Sequence, residues 1–401
     1  MTRTGGPLSL LLLLAAPAFA AVEAAWPPAV PLPVVPPPAL VAPVLKAPSL
    51  PPVPTVSFHG VRIKGVQFSR LDRVPQSLIA AIDATRSTLL LSIYDLKLSE
   101  VGEAILRAKT RGVDVRLVYD MGHAATPSPE FQALLDAGVP TRLLKGGGSY
   151  GIMHNKFAVF DGELVATGSF NWTRAADDKN FENSIWRSDA EYAAGFAAYW
   201  RWMWALGSEP KAAADAPAPS GAGFGAPPAD PTRPVAFNGG TWPRWAFSPQ
   251  GGVEDLLVDA IGRSRRTVDV AIFSLYSQRV ADALIAAAKK GVAVRVVADV
   301  SQSRRSQVVL SLAKAGAPLR LSTGRDPGSL GVLHHKFALF DGAMLMTGSY
   351  NFSQNAELYN FENDLFTTVP GEVGAYGAEF AADWDQAHAP AEGELPAPKL
   401  L

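Results

Sequence analysis

The 401-residue chain contains no cysteine. Disulfides, thiolate nucleophiles, lipid anchoring through an N-terminal cysteine and zinc sites of the Cys/His kind are therefore excluded. Histidine is scarce, at 6 residues. Charge of either sign is nearly absent in excess: 36 Lys and Arg face 37 Asp and Glu, for a net charge of −1. That balance gives no sign of the basic surface on which nonspecific nucleic-acid binding leans, nor of an acidic tail. After the N-terminus no apolar run reaches the roughly 20 residues that span a bilayer. Hydrophobic residues nonetheless make up 48% of the chain, enough for a large core and for two or three domains.

What the chain does contain is organised from its N-terminus. Residues 1–20 place Arg3 before an apolar run from Leu8 to Ala16 and end on Ala18-Phe19-Ala20. This reads as a secretory signal peptide cleaved after Ala20, which predicts export to the periplasm or the medium. Residues 21–57 carry proline at nearly every third position and are expected to be an extended, disordered segment. Residues 208–240, rich in Pro, Ala and Gly, read as a linker between two repeats at 58–207 and 241–390, with a tail at 391–401.

The repeats are visible in the residues. GIMHNKFAVFDGELVATGSFNWTRAADDKNFEN at 151–183 returns as GVLHHKFALFDGAMLMTGSYNFSQNAELYNFEN at 331–363. At a constant shift of 180, His154, Lys156, Asp161, Ser169, Asn171, Asn180, Glu182 and Asn183 become His334, Lys336, Asp341, Ser349, Asn351, Asn360, Glu362 and Asn363. A duplicated core explains recurring apolar positions but not recurring His, Lys, Asn and Glu. Around each copy, β-rich runs (TLLLSIYDL at 88–96, VDVRLVYD at 113–120, VAVRVVAD at 292–299) alternate with helical patterns ended by Gly112, Gly138 and Gly291. The order predicts an α/β fold with mostly parallel sheets. Asp161-Gly162 reads as a hairpin turn. Each repeat closes with an aromatic helix containing Trp200, Trp202 and Trp204, or Phe380 and Trp384. Core packing is the expected role; a membrane-interface role for Trp202 and Trp204 is the alternative.

His-x-Lys on a strand puts imidazole and ammonium on one face, and Asn171 follows the Gly168-Ser169 turn. A nucleophile or acid/base, a cation and a neutral donor suit an anionic phosphodiester. Two copies supply two imidazoles, one to attack phosphorus and one to protonate the leaving oxygen. Each His needs its far ring nitrogen held, and Glu182 and Glu362 each lie 28 residues after the His of their own repeat. His335 matches Asn155 and reads as a spacer facing away from Lys336; His59, His123 and His388 read as surface or loop residues.

HxKxxxxD followed by GSxN, present twice, closely resembles the signature of the phospholipase D superfamily. The resemblance covers roughly residues 60–205 and 245–387. It implies two phospholipase D-like sandwich repeats related by a pseudo-two-fold axis, with the active site between them. It also implies a monomer with a pseudo-dimeric site, no stable protein partner, no cofactor and no metal. It places His154, Lys156, Asn171, His334, Lys336 and Asn351 in catalysis through a phosphohistidine, with His154 as nucleophile and His334 as acid and then base. Asp161, Ser169, Glu182, Asp341, Ser349 and Glu362 become supporting residues. The superfamily holds phospholipases, nucleases and phosphatidyl transferases such as cardiolipin synthases. Residues 58–207 hold 17 basic and 16 acidic residues, although Arg263, Arg265, Arg266, Arg304 and Arg305 are candidates for a local basic patch. A phospholipid in a membrane is therefore the expected substrate. A nucleic acid is the first alternative, phosphatidyl transfer the second, and a non-catalytic surface-binding protein the reading of a different class.

Overall fold

The computed structural model describes residues 52–211, 223–325 and 330–397. The predicted signal peptide and nearly all of the Pro-rich segment lie outside the described residues. So do 212–222 of the linker and the last four residues.

Each repeat builds a seven-stranded sheet with the same strand order. In the first the order is Val66–Phe68, Asn183–Arg187, Leu164–Gly168, Lys156–Phe160, Thr88–Ile93, Asp114–Asp120, Thr141–Leu144. In the second it is Trp245–Ser248, Glu362–Thr367, Met344–Gly348, Lys336–Phe340, Thr267–Ile272, Ala293–Asp299, Leu319–Ser322. The sheets are mixed, which corrects the expectation of mostly parallel ones. Only the last three strands of each order pair in parallel. There the helices Ser99–Thr110 and Pro129–Asp136, and their counterparts Gln278–Lys289 and Gln307–Lys314, carry the chain back across the sheet. The other pairings are antiparallel, among them the two motif strands, which a tight turn joins. Asp161-Gly162 and Asp341-Gly342 take positive φ (51° and 68°; 54° and 60°) within three-residue loops that join Phe160 to Leu164 and Phe340 to Met344.

Helix Ser99–Thr110 shows how the sequence selects its elements. Val101, Ala104, Ile105 and Ala108 fall on one buried stripe, Glu100 sits in the first turn and Arg107 and Lys109 in the last. Three hydrophobic cores result. One lies beneath the outer helices of each repeat. The third joins the inner faces of both sheets to the helices Ala190–Leu206 and Pro370–Gln386. Tyr199 stacks on Phe247 of the other repeat at 4.0 Å, and Phe68 meets Tyr376 at 5.1 Å. Trp202 and Trp204 pack against this shared core, Trp202 against Phe361 at 5.4 Å, as core packing predicted. No described helix is long and apolar enough to cross a membrane.

Two boundaries move. Each repeat begins earlier than its expected start, with a β-hairpin: Thr55–Phe58 with Val61–Lys64, and Val235–Phe237 with Gly240–Trp242. The first of these strands fell in the expected disordered segment and the second pair in or at the end of the expected linker. Their short alternating patterns are masked by neighbouring proline. His59 and Asn238 occupy the two turns with positive φ, so His59 is a turn residue with Asn238 as its counterpart.

The motif aspartates explain why the hairpins stay in place. Asp161 accepts hydrogen bonds from the amides of Arg86, Ser87 and Thr88 at 2.7–2.8 Å. Asp341 accepts from the amides of Arg265, Arg266 and Thr267 and from Asn238 Nδ2 at 2.7 Å. Burial pulls both carboxyls upward in pKa, but these donors hold them below the usual carboxylate value. Removing either carboxylate strands three backbone donors. Asp161→Ala and Asp341→Ala are each expected to lower unfolding free energy by about 2–4 kcal/mol in urea titrations. A loss below about 0.5 kcal/mol, the scale of an ordinary surface substitution, contradicts this role.

Candidate active site

The motif strands do not carry their histidines within the ladder. His154 and His334 stand two residues before the strands Lys156–Phe160 and Lys336–Phe340, in segments that pair with the opposite repeat. Met153 bridges Phe361 and Leu333 bridges Phe181 in parallel register. The amide of His154 donates to the Phe361 carbonyl at 3.0 Å, and that of His334 to the Phe181 carbonyl at 2.9 Å. The NFEN segment of each repeat is thus the seat for the other repeat's histidine.

The same exchange governs the side chains. Nδ1 of His154 lies 2.8 Å from Oε2 of Glu362, and Nδ1 of His334 lies 2.8 Å from Oε2 of Glu182. The expectation that each Glu serves the His of its own repeat is corrected: the pairs cross. Equal spacing in sequence cannot distinguish a partner within a repeat from one across a two-fold relation. Each carboxylate is fixed from its own side. Ser349 Oγ donates to Glu362 at 2.6 Å and Asn360 Nδ2 at 3.0 Å; Ser169 and Asn180 do the same for Glu182 at 2.6 and 3.0 Å. Ser169 and Ser349 therefore serve the glutamates. The glycine before each serine is needed because the Asn183 or Asn363 backbone passes directly over it, and a Cβ at Gly168 or Gly348 would strike that carbonyl oxygen.

With Nδ1 committed to a carboxylate, Nε2 of each imidazole makes no protein hydrogen bond among the described residues. Lys156 Nζ donates to the His154 carbonyl, and Lys336 Nζ to the His334 carbonyl at 2.6 Å. Asn171 and Asn351 each bury an Oδ1 without a partner. The same atom is therefore left unsatisfied at both matched positions. Asp161 and Asp341 stand at the far ends of their strands, roughly 16 Å of extended chain from the lysines, and take no part in this grouping.

Two further pairs escaped the sequence reading. Tyr94 and Phe273 meet His154 and His334 edge-on at 4.8 Å, with the lysine ammoniums 4.8 and 5.0 Å from the same rings. Asp120 and Asp299 accept from the amides of Met153 and Leu333 at 3.0 and 3.1 Å, fixing the backbone before each histidine. Each is a residue at the C-terminal end of a repeated strand, and that recurrence was the available signal. His123, expected on the surface, packs against Tyr94 at 4.4 Å.

Burial dominates the electrostatics. It lowers His154 and His334 to about 4, although their glutamates pull the other way and the lysines reinforce the shift. Burial raises the carboxyls, but the facing histidines hold Glu362 and Glu182 below their ordinary value. At rest the pairs are therefore carboxylate and neutral imidazole, with Nδ1–H donating. Burial also lowers Lys156 to about 7 and Lys336 to about 8, each glutamate opposing. Charge on Lys336 disfavours protonation of His154, so both repeats contribute to one site.

Fold and site together define a two-motif member of the phospholipase D superfamily. A family model described as "Cardiolipin synthase, PLD-like domain" matches residues 78–204 and 257–384, more than half of the chain, and the chain belongs to that family. Among curated proteins it is 32% identical over 142 residues to a mitochondrial cardiolipin hydrolase of Chlamydomonas reinhardtii. It is 34% identical over 119 residues to a phospholipase D of Rickettsia bellii. The matched segments are 34% and 30% of this chain and span 62% and 58% of those relatives. Among solved structures, the phosphatidylserine synthase of Haemophilus influenzae shares the fold at a TM-score of 0.58 and 12% identity, over 83% of this chain and 88% of that one.

The buried lysines give stability a measurable pH dependence. Lys156 binds its proton less tightly folded (about 7) than unfolded (10.5), so the unfolded state holds more protons between those values and stability rises with pH there. Relative to Lys156→Met, the wild type is expected to gain stability steadily as denaturation is measured from pH 7 to 9. A constant difference across that window rules out a depressed lysine.

Proposed function

We propose that the chain is an exported phosphodiesterase that hydrolyses phospholipids to phosphatidic acid and an alcohol through a phosphohistidine. The observation that carries this reading is the crossed pair of His–Glu couples, which leaves two Nε2 atoms without a protein hydrogen bond while a buried lysine donates to the carbonyl of each histidine. His154, neutral at rest, attacks phosphorus through Nε2 while the bond to the head-group oxygen breaks. His334 donates its Nε2 proton to that oxygen. It then takes a proton from water as the water oxygen displaces the histidine, returning His154 and releasing phosphatidate. Lys156, Lys336, Asn171 and Asn351 hold the non-bridging oxygens as charge builds on them. The negative charge of the bound phosphodiester offsets the burial that holds His334 low, so proton uptake accompanies binding.

A lipid is favoured over a nucleic acid by the distribution of apolar surface. Tyr150 and Leu330 occupy matched positions four residues before the two histidines and are 81% and 92% exposed. The loop carrying Tyr150 is bound to Tyr359 through the Gly147 amide at 2.7 Å, next to the exposed Leu358. A polar hollow of about 410 Å³ adjoins Asn351, lined by Ser274, Tyr276 and Asn360, and suits a head group. The names of the cardiolipin hydrolase and phospholipase D relatives agree. Export rests on residues 1–20 alone.

The test is turnover of cardiolipin and phosphatidylcholine vesicles, with single-stranded DNA alongside. Lipid hydrolysis is expected, lost in His154→Ala and His334→Ala and reduced about 10²–10⁴-fold in Glu362→Gln. Replacing Tyr150 and Leu330 by Ser is expected to lower turnover of vesicles but not of a soluble short-chain lipid. DNA cleavage without lipid turnover refutes the lipid reading.

A pH profile provides a separate check. Lysine charge is lost as pH rises through about 7 and about 8, so kcat/KM falls on the alkaline side across that interval. A profile level to about pH 9 removes the ammoniums from the mechanism.

A further inference from the structure

Behind the catalytic residues of the second repeat lies a cluster that the proposed reaction does not use. His335, between His334 and Lys336, faces Glu379 and Asp383 on the helix Pro370–Gln386. All three residues are buried, and one ligand atom from each lies within 4.8 Å of the others. His335 Nε2 is 3.6 Å from Glu379 Oε1 and 3.5 Å from Asp383 Oδ2. Those separations are too long for hydrogen bonds. Accordingly, His335 Nε2 and both oxygens of Asp383 have no partner although they are fully buried. Unpaired carboxylate oxygens in a dry core are costly, and an imidazole nitrogen and a carboxylate left unsatisfied face to face, with Glu379 beside them, call for an occupant.

The first repeat shows what the same positions look like when nothing is missing. A shift of 180 takes Asn155, Tyr199 and Met203 to His335, Glu379 and Asp383. In the first repeat the three are neutral and satisfied internally, with Asn155 Nδ2 donating to Tyr199 Oη at 3.3 Å and to Met203 Sδ at 3.4 Å. One backbone frame thus carries a self-sufficient trio in one repeat and imidazole with two carboxylates in the other. A histidine serving merely as a spacer does not explain the accompanying changes at 379 and 383.

We infer that His335, Glu379 and Asp383 bind a divalent transition-metal cation of the zinc class, which ties the helix Pro370–Gln386 to the segment bearing His334 and Lys336. Zinc takes imidazole nitrogen and carboxylate oxygen at about 2.0–2.2 Å in a tetrahedron, whose edges are then roughly 3.4 Å. The observed 3.5 and 3.6 Å are close to that edge. Both oxygens of Asp383 are without a hydrogen bond, so its carboxylate is uncommitted and available to an ion. Arg70 already holds Glu379, with Nη2 2.6 Å from Oε2 and Nε at a longer 3.3 Å from Oε1, the oxygen that faces His335. The ion and Arg70 together offset the two carboxylates and leave one positive charge. Phe68, Phe181 and Phe337 surround the imidazole at 6.1, 6.5 and 5.2 Å and exclude water.

Metal binding needs the Nε2 lone pair, hence a proton on Nδ1. The Asn183 amide lies 3.0 Å from Nδ1, and turning it end for end presents its oxygen to that proton. The hydroxyls of Thr347 and Tyr376, at 3.2 and 3.0 Å from the other end of the amide, accept as readily as they donate.

The test compares the purified full chain with a triple variant, His335→Asn/Glu379→Tyr/Asp383→Met, which copies the first repeat's packed solution, and with Asp383→Asn. Each is unfolded with chelator, refolded, and titrated with Zn²⁺ and Co²⁺. The wild type is expected to bind one equivalent, to develop the intense visible bands of tetrahedral Co²⁺, and to gain about 5–10 °C in Tm at saturating zinc. Both variants are expected to show neither bands nor a Tm shift. Wild-type protein without Co²⁺ bands and with a Tm unmoved by zinc overturns the inference. So does a triple variant that binds as the wild type does. Should the triple variant fail to fold, Asp383→Asn decides in the same way.

Discussion

The contact on which the rest depends is the hydrogen bond from imidazole Nδ1 to a carboxylate contributed by the opposite repeat. It fixes the tautomer, leaves Nε2 free, and requires both sheets to be in place at once. The surrounding order can be derived from it. Ser169, Asn180 and their counterparts hold the glutamates; Asp120 and Asp299 hold the backbone that delivers the histidines; the shared core keeps the repeats in register. Burying the couples lowers both the histidines and the lysines, so the site is built at an electrostatic cost that the glutamates partly offset.

Much of this was legible in the residues. The fixed shift of 180 picked out both histidines, lysines, asparagines and glutamates, and hydrogen bonds connect the histidines to the lysines and glutamates. The helices and strands of the outer layer followed from periodicity and from glycine stops. What the sequence concealed was pairing. Alternating strands and helices suggested parallel sheets, whereas the two motif strands of each repeat form an Asp-Gly hairpin and pair antiparallel with each other and with their outer neighbours. Glu362 lies 28 residues from His334 and 208 from His154, and only three-dimensional exchange makes the distant one its partner. The motif aspartates, part of the signature, turn out to anchor hairpins that proline-rich flanks had hidden.

Duplication within one chain also frees the repeats to differ. Tyr94 against Phe273, and Asn155, Tyr199 and Met203 against His335, Glu379 and Asp383, are substitutions that a symmetric assembly of identical subunits would have to make on both sides. Here one side keeps a neutral, self-paired interior and the other gathers charge. The polar hollow beside Asn351 is likewise lined by residues of the second repeat, which adds to the chemical difference between the two sides.

The crossed glutamates also impose an order in time. A nascent chain that has emerged only as far as the first repeat already carries His154, Lys156 and Asn171, yet the carboxylate that orients His154 is 208 residues further on. The crossed arrangement therefore comes into being only near the completion of synthesis, and a chain cut short before Glu362 leaves His154 Nδ1 without its carboxylate.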